Sequence, residues 1–435
     1  MDHQAVIMDN GSGYSKMGYA GNLEPSIVIP TIIVDSENKN TSSASTKGYE
    51  YNYYIGDEAI NKKKESSTHK LIYPVKNGIV ENWDLMEKYW YKSIYDYLKC
   101  DPEEHIFFLT DPTMNPPENR ENIAEIFFET FNVPGLYFGD QAFLSLFGYQ
   151  DWAEDSGIRM DKDQEEAIKS LTGVVVDSGD DITHIIPICD GTIVGSNIKH
   201  FPIAGKKITN FMEQMIKERE EKINSVDLYY ATMELKEKYG YLAKDLMDEF
   251  KRFDWKEKID GKLTQNTKFK KFEGTGKISS KPFSIDLGYE IFLGPEAFFN
   301  PEIIDKNWKA PLDEMIDLAI QQCPIDYRRR LYANIVLLGG SSSFLNFDRK
   351  IQLCLQKRVD KRLEKYNYDK SRNTNNIKVI ISKFSINEYA AWFGGSHFSS
   401  KDDFKSLVYT REQYLEKGPS FCRFNPLFRS NLNII

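Results

Sequence analysis

The sequence predicts an α/β protein built from two related halves. Three observations carry that prediction. The apolar run Ala5-Val6-Ile7-Met8 ends in Asp9-Asn10-Gly11-Ser12-Gly13, and Gly173-Val174-Val175-Val176 ends in Asp177-Ser178-Gly179-Asp180. Each run passes through its turn into a second strand, one containing Met17 and Tyr19, the other Thr183 to Ile188, so each reads as a β-hairpin. The chain's 435 residues exceed what one compact core organises, so at least two domains are expected. One strand–turn–strand unit opening each half suggests an internal duplication.

The remaining elements follow in chain order. Helices are expected at 84–99 and 117–131. Pro116 and Pro117 suit a helix start, and Asn132 with Pro134 suits its end. After the second hairpin come helices at 206–222 and 310–322. A third buried strand, Asn334-Ile335-Val336-Leu337-Leu338, ends in Gly339-Gly340-Ser341-Ser342. Phe347, Ile351, Leu355 and Val359 then recur every four residues, as on the buried face of a helix. Four polar stretches lack periodicity: 35–50, 152–169, 254–281 and 360–376. They read as loops or insertions on the scaffold. Gly274-Thr275-Gly276-Lys277 resembles a fragment of a phosphate loop, but the upstream Gly is missing and Ile278 follows the Lys. It is given no binding role.

Composition narrows the function classes. Hydrophobic residues make up 41% and charged residues 28%, as in a folded globular chain. The net charge of −9 argues against gripping nucleic acid or anionic lipid through charge. The five cysteines are scattered and form no C-x-x-C pair, which argues against a disulfide framework or a zinc site. The N-terminus has no basic stretch leading into a long apolar core, and no apolar run approaches the ~18 residues of a membrane span. A soluble protein of a reducing compartment is expected.

The two Asp-Gly turns suggest chemistry. A tight turn of Gly and Ser presents consecutive backbone N–H groups with no Cβ in the way, which suits phosphate oxygens. Lys16 lies near enough along the first hairpin to add a positive charge. Asp9 and Asp177 could hold Mg²⁺ through its waters. If the turns face each other they clamp a polyphosphate, with Gly339-Gly340 admitting the nucleoside end. One such turn alone is a common structural hairpin. Two of them, with Lys16 and the Gly-Gly-Ser strand end in this order, point to nucleotide binding.

These residues carry a resemblance to the actin family. The segments are Asp9-Asn10-Gly11-Ser12-Gly13-Tyr14-Ser15-Lys16, Tyr54-Ile55-Gly56-Asp57-Glu58-Ala59, Asn77-Gly78-Ile79-Val80-Glu81-Asn82-Trp83-Asp84, Glu118-Asn119-Arg120-Glu121, Phe128-Glu129-Thr130-Phe131-Asn132-Val133-Pro134 and Trp392-Phe393-Gly394-Gly395-Ser396. Lys199 to Gly205, Cys323 to Arg329 and the tail Gly418 to Phe428 resemble the branch of actin-related proteins found in the actin-related protein 2/3 complex.

The resemblance implies an actin-like ATPase fold: duplicated ribonuclease H-like domains, four subdomains and a nucleotide cleft. The implied subdomain 1 is 1–33, 74–148 and 390–435. Subdomain 2 is 34–73, subdomain 3 is 149–203 and 308–389, and subdomain 4 is 204–307. The implied ligands are ATP or ADP with Mg²⁺. Ser12, Gly13, Tyr14 and Lys16 would form the first phosphate loop, and Gly179, Asp180, Asp181 and Ile182 the second, with Asp180 at the ribose. Gly205, Lys236 and Glu237 would lie at the adenosine, and Gly340, Ser341 and Phe344 would form the far wall of the base pocket. Asp9 and Asp177 would stand on the Mg²⁺ side. Gln141 and His184 would position the attacking water for in-line phosphoryl transfer. Taken alone, Gln141 is an ordinary helix cap and His184 an ordinary inter-strand hydrogen-bonding residue.

The implied function is nucleation of branched actin filaments in the cytoplasmic actin cytoskeleton. The partners would be actin-related protein 2, the complex's other subunits, actin monomers and filaments, and nucleation-promoting factors. No nucleic acid and no membrane insertion are expected. An apolar groove including Phe147, Gly148, Phe398 and Leu407 would receive a partner helix, unless these residues are core. A divergent filament-forming actin and a small-molecule kinase on the same scaffold are the alternative readings.

The chain also departs from the family pattern. Asp181 stands where the family usually has Gly, and a carboxylate there would repel terminal phosphates unless it points away. Lys206-Lys207 replaces a basic–acidic pair, and Lys207 is a candidate to neutralise Asp181. Glu388 and Met233 replace basic residues. Weakened nucleotide affinity and slow or absent hydrolysis are expected.

Overall fold

The computed structural model describes residues 4–35, 53–65, 69–219, 223–254, 256–259, 262–265, 271–364, 377–382 and 384–423. Two sheets dominate these residues, and they repeat one plan. In the first, the strand order is Tyr409–Thr410, Gly135–Asp140, Ile106–Asp111, Val6–Asn10, Tyr14–Tyr19, Ile27–Pro30. In the second it is Thr192–Ile193, Thr183–Cys189, Gly173–Ser178, Ile335–Leu338, Ile381–Ser382, with Lys199–Phe201 also paired to Thr183–Cys189.

Each sheet centres on a predicted hairpin. Val6–Asn10 pairs antiparallel with Tyr14–Tyr19, setting Asp9 opposite Lys16. Gly173–Ser178 pairs antiparallel with Thr183–Cys189, setting Asp177 opposite His184. Beside each hairpin lie two parallel strands, Ile106–Asp111 and Gly135–Asp140 in one half, Ile335–Leu338 and Ile381–Ser382 in the other. Parallel strands need both faces covered, which is why Val174-Val175-Val176 and Ile335-Val336 are apolar without alternation and fully buried. The duplication read from the sequence is present in the topology.

The sheets meet across two helices, Gln141–Ser156 and Ala390–Phe398. Their contact depends on glycine. A Cβ at Gly394 would stand 2.0 Å from the Leu144 carbonyl oxygen, and one at Gly148 would stand 3.0 Å from the Gly394 Cα. Bare backbone lets the helices approach until Ala142, Leu146, Ala391 and Phe393 share one buried cluster. Larger cores flank this junction. One is formed around Met8, Trp90, Phe107, Phe127 and Phe131, the other around Val176, Phe201, Met212, Phe298 and Phe347.

The expected helices are observed at Trp83–Lys92, Pro117–Glu125, Gly205–Glu218, Leu312–Gln322 and Phe347–Glu364. The first two widen into π-helical turns at Ser93–Leu98 and Ile126–Thr130, which complete the expected spans to within a residue. Phe347, Ile351, Leu355 and Val359 are buried as the four-residue spacing requires.

The reading of 152–169 as loop is corrected. Its first residues close the helix Gln141–Ser156, which stops at Gly157 with φ of +62°. A second helix, Lys162–Lys169, begins where the Asp161 carboxylate accepts from the Gln164 N–H. Only a narrow stripe, Gln164, Ala167 and Ile168, is buried, so the segment's composition hid its periodicity. The stretch 254–281 contains the paired strands Lys256–Ile259 and Lys262–Gln265, and the strand Lys271–Thr275, which pairs with Pro282–Asp286. Most of 35–50, and 365–376, lie outside the described residues. All five cysteines carry free thiols, four of them buried.

Candidate functional site

A cavity of about 470 Å³ opens between the two hairpins. Every candidate site residue lines it except one: Asp9, Ser12, Gly13, Tyr14, Lys16, Gln141, Asp177, Gly179, Asp180, Asp181, Ile182, His184, Lys236, Glu237, Gly340, Ser341 and Phe344. The exception is Gly205, which stands behind the wall. A Cβ there would lie 2.9 Å from Ser341 Oγ and 3.2 Å from Lys236 Nζ. The missing side chain lets Lys236 Nζ donate to the Gly205 carbonyl at 3.1 Å. Gly205 therefore shapes the pocket without facing it.

Local rules place the two turns. In the first, the Gly11 N–H donates to the Tyr14 carbonyl and the Thr31 N–H to the Gly13 carbonyl. In the second, the helix Gly205–Glu218 spends its first N–H groups on the loop: Gly205 donates to Gly179 O and Lys206 to Asp180 O. The Gly-Gly strand end joins in. Gly339 has φ of +85°, and a Cβ on it would meet Ser178 O at 2.3 Å, so only glycine fits against the second turn. Ser341 Oγ then donates to Gly179 O at 2.7 Å.

The phosphate end is dominated by carboxylates. Asp9 is fully enclosed. Its Oδ2 accepts from Lys16 Nζ at 2.9 Å, and its Oδ1 accepts from Thr110 Oγ1 at 2.6 Å and Gln141 Nε2 at 3.0 Å. Burial pushes the Asp9 pKa up, but the Lys16 charge and these three hydrogen bonds outweigh it, so the carboxyl lies below its ordinary range. Across the cavity, burial and the nearby Asp9 charge push Asp177 up to about 6, with Lys16 opposing. No side-chain donor among the described residues reaches the Asp177 carboxylate. Two neighbouring carboxylates, Asp9 buried and Asp177 half-buried, with one lysine between them are short of positive charge, which fits a hard divalent cation. No cluster of three or more metal-ligating side chains occurs among the described residues. Two carboxylates without further side-chain ligands suit a hard divalent cation that keeps most of its waters.

Gln141 is the first residue of its helix because Asp140 caps it, with Asp140 Oδ1 accepting from the Phe143 N–H at 3.0 Å. Its amide Nε2 is held by Asp9 and Thr110, leaving the carbonyl oxygen as an acceptor. His184 is tied to His200, Nδ1 to Nδ1 at 2.9 Å. Burial, then His200, pushes the His184 pKa down to about 4, so the ring is neutral near pH 7. At the other end, burial lowers the Lys236 pKa against the pull of Asp180 and Glu237. Burial raises both Asp180 and Glu237.

The departures resolve as follows. Asp181 does not point away from the cavity. Its Oδ2 accepts from the Asn77 N–H at 2.9 Å. The lysine beside it is Lys206, with Nζ 3.5 Å from Oδ1, and not Lys207. Consecutive helical residues are turned about 100° apart, and Lys206 is the one facing the loop. Glu388 lines the cavity on the Glu237 side and contributes to raising its pKa. Met233 does not line it. Lining residues that sequence reasoning missed include Asn77, Gly78, Thr113 and Met114. Asn77-Gly78 had a legible signal, the Asn-Gly pair of a tight hairpin turn, and has φ of +49° and +79°. Of the expected groove, Phe147 and Phe398 meet edge to face with ring centres 5.6 Å apart. Leu407 is exposed, and Gly148 is buried at the helix junction. No helix of the described residues is long and apolar enough to cross a membrane.

Comparison with known proteins identifies the family. The actin family model, described as "Actin", matches residues 1–425. Actin-related protein 3 of Dictyostelium discoideum is 44% identical over 426 residues, covering 97% of this chain and 96% of that protein. Actin-related protein 3 of Caenorhabditis elegans is 42% identical, covering 98% and 97%. That of Drosophila melanogaster is 43% identical, covering 98% of each chain.

Proposed function

The chain belongs to the actin family, and on that premise we propose that it serves as the actin-related protein 3 subunit of an actin-related protein 2/3 complex, helping to start branched actin filaments. The observation that carries this reading is identity of 42–44% to actin-related protein 3 sequences across nearly their whole length. Membership at that coverage leaves little room for a small-molecule kinase, which fold alone would allow. The cytoplasmic actin cytoskeleton is the proposed place of action. The four-subdomain division given above is part of the same proposal.

In this reading the cleft holds ATP or ADP. Ser12 to Lys16 and Gly179 to Ile182 hold the phosphates by backbone N–H groups and the Lys16 charge. Lys236, Glu237, Gly340 and Phe344 hold the nucleoside. Asp9 and Asp177 hold Mg²⁺ through water, and the cation supplies charge neutralisation at the phosphates when bound. Gln141, fixed by Asp9 and Thr110, offers its carbonyl oxygen to orient a water. His184, held neutral, orients it from the other hairpin. The residues thus align and screen, and turnover is expected to be slow. The nucleotide acts chiefly by favouring one separation of the two halves. Phe147 and Phe398 form part of the surface offered to actin.

Native affinity purification of the tagged chain followed by mass spectrometry tests the proposal. The expected result is stoichiometric recovery with actin-related protein 2 and a fixed set of non-actin subunits. Recovery alone, or with actin and monomer-binding proteins only, overturns it in favour of a divergent filament-forming actin.

A further inference from the structure

We propose that Asp181 makes this cleft select a nucleoside diphosphate over a nucleoside triphosphate, by filling with its own carboxylate the place where a third phosphate would meet the Asn77-Gly78 turn. The proposal rests on the nucleotide reading of the cleft.

The turn joins the short strands Val75–Lys76 and Ile79–Val80 and faces both phosphate loops. Neighbouring backbone N–H groups in such a turn are donors for an anion. Here the protein takes both. The Asn77 N–H donates to Asp181 Oδ2 at 2.9 Å, and the Gly78 N–H donates to Ser12 Oγ at 2.9 Å. The nearest cation is taken too. Lys206 Nζ stands 3.5 Å from Asp181 Oδ1 and 4.9 Å from the centre of the Tyr73 ring. The Asp181 side chain is only 11% exposed, so this is a seated contact and not a surface rotamer.

The rest of the loop remains open. A Cβ built at Gly179 would meet nothing within 4 Å, so a phosphate can approach the backbone there. Asp180 turns the other way, its Cβ 3.1 Å from the Cβ position of Gly13. Two phosphates therefore meet an unobstructed backbone. A third must displace Asp181 from Asn77 and from Lys206, and it brings more negative charge beside a carboxylate.

The test is equilibrium titration of the full-length chain with fluorescent ADP and fluorescent ATP in Mg²⁺ buffer, repeated with Asp181→Gly and Asp181→Asn. The wild type is expected to bind ADP about tenfold more tightly than ATP, and Asp181→Gly to tighten ATP about tenfold while leaving ADP within about twofold. Asp181→Asn keeps an acceptor for Asn77 and loses the charge, so it should fall between. Intact ADP binding by a variant shows that its cleft is folded. Equal affinities in the wild type, or an Asp181→Gly change that is the same for both nucleotides, overturn the proposal. Binding of neither nucleotide by any form refutes the nucleotide reading itself, and the ADP titration separates the two failures.

Discussion

Replacing Asp140 by Asn should stabilise the protein, and increasingly so as pH rises. Asp140 is fully enclosed at the end of the strand Gly135–Asp140. Its Oδ1 caps the following helix, while its Oδ2 has no hydrogen-bond partner, and neither does the buried Thr113 Oγ1. Burial raises the carboxyl from its ordinary 3.8 to about 7, helped by the nearby Asp111 and opposed by the hydrogen bond from the Phe143 N–H. A carboxyl pKa raised on folding means that the native state holds the proton longer than the unfolded chain. Stability is then full below about pH 4 and is lost as pH rises to about 7, amounting to about 4 kcal/mol in all. Asn has no such loss. Its carbonyl oxygen can keep the cap on Phe143, and its amide can donate towards Thr113 Oγ1. The expected gain of Asp140→Asn is about 2 kcal/mol at pH 5 and about 4 kcal/mol at pH 8. Urea unfolding of both proteins at pH 5, 6, 7 and 8 reads this directly, since other titrating groups cancel in the difference. A gain that does not change with pH would refute the reasoning. It would mean that Asp140 titrates as an ordinary solvated carboxyl.

Two further outcomes are expected. Gly394→Ala drives a Cβ to 2.0 Å from the Leu144 carbonyl oxygen in the helix junction, where neither backbone can give way cheaply. It should cost at least about 3 kcal/mol, seen as a fall in the unfolding midpoint or loss of soluble protein; an unchanged midpoint would show that the helices can part. Asp9→Asn removes the negative charge opposite Lys16 and one of the two carboxylates proposed to face the cation. Mg²⁺-dependent nucleotide affinity should fall at least about tenfold, while binding measured with chelator present should change less. Equal loss in both conditions would remove Asp9 from the cation's surroundings.

Much of the site was legible because its signals are local. A strand that ends in Asp and turns on Gly reports its own hairpin, and repeating it reports the duplication. The positions of Asp9, Asp177, Gly179 and Gly340 around one cavity follow once two such hairpins face each other. Gly205 marks a limit: the resemblance set it at the adenosine, and only the fold shows that its missing side chain also makes room for Lys236 and Ser341. The segment 152–169 marks another. Its buried stripe of Gln164, Ala167 and Ile168 is too narrow to stand out from the surrounding charge, so the helix declares itself only when it packs.

The sequence by itself determined the two hairpins, the strand before Gly339, the main helices and most residue types around the cavity. Each of these depends on neighbours a few positions away, whose periodicity or turn chemistry is visible in one dimension. The tertiary structure alone decided what Asp181 does. From the sequence it could face solvent, repel phosphate or pair with Lys207. In the fold it accepts from Asn77, a residue 104 positions earlier, and is neighboured by Lys206. Which partner a charged side chain finds is set by the phase of one helix and the approach of a distant turn, and neither is encoded within reach of the residue itself.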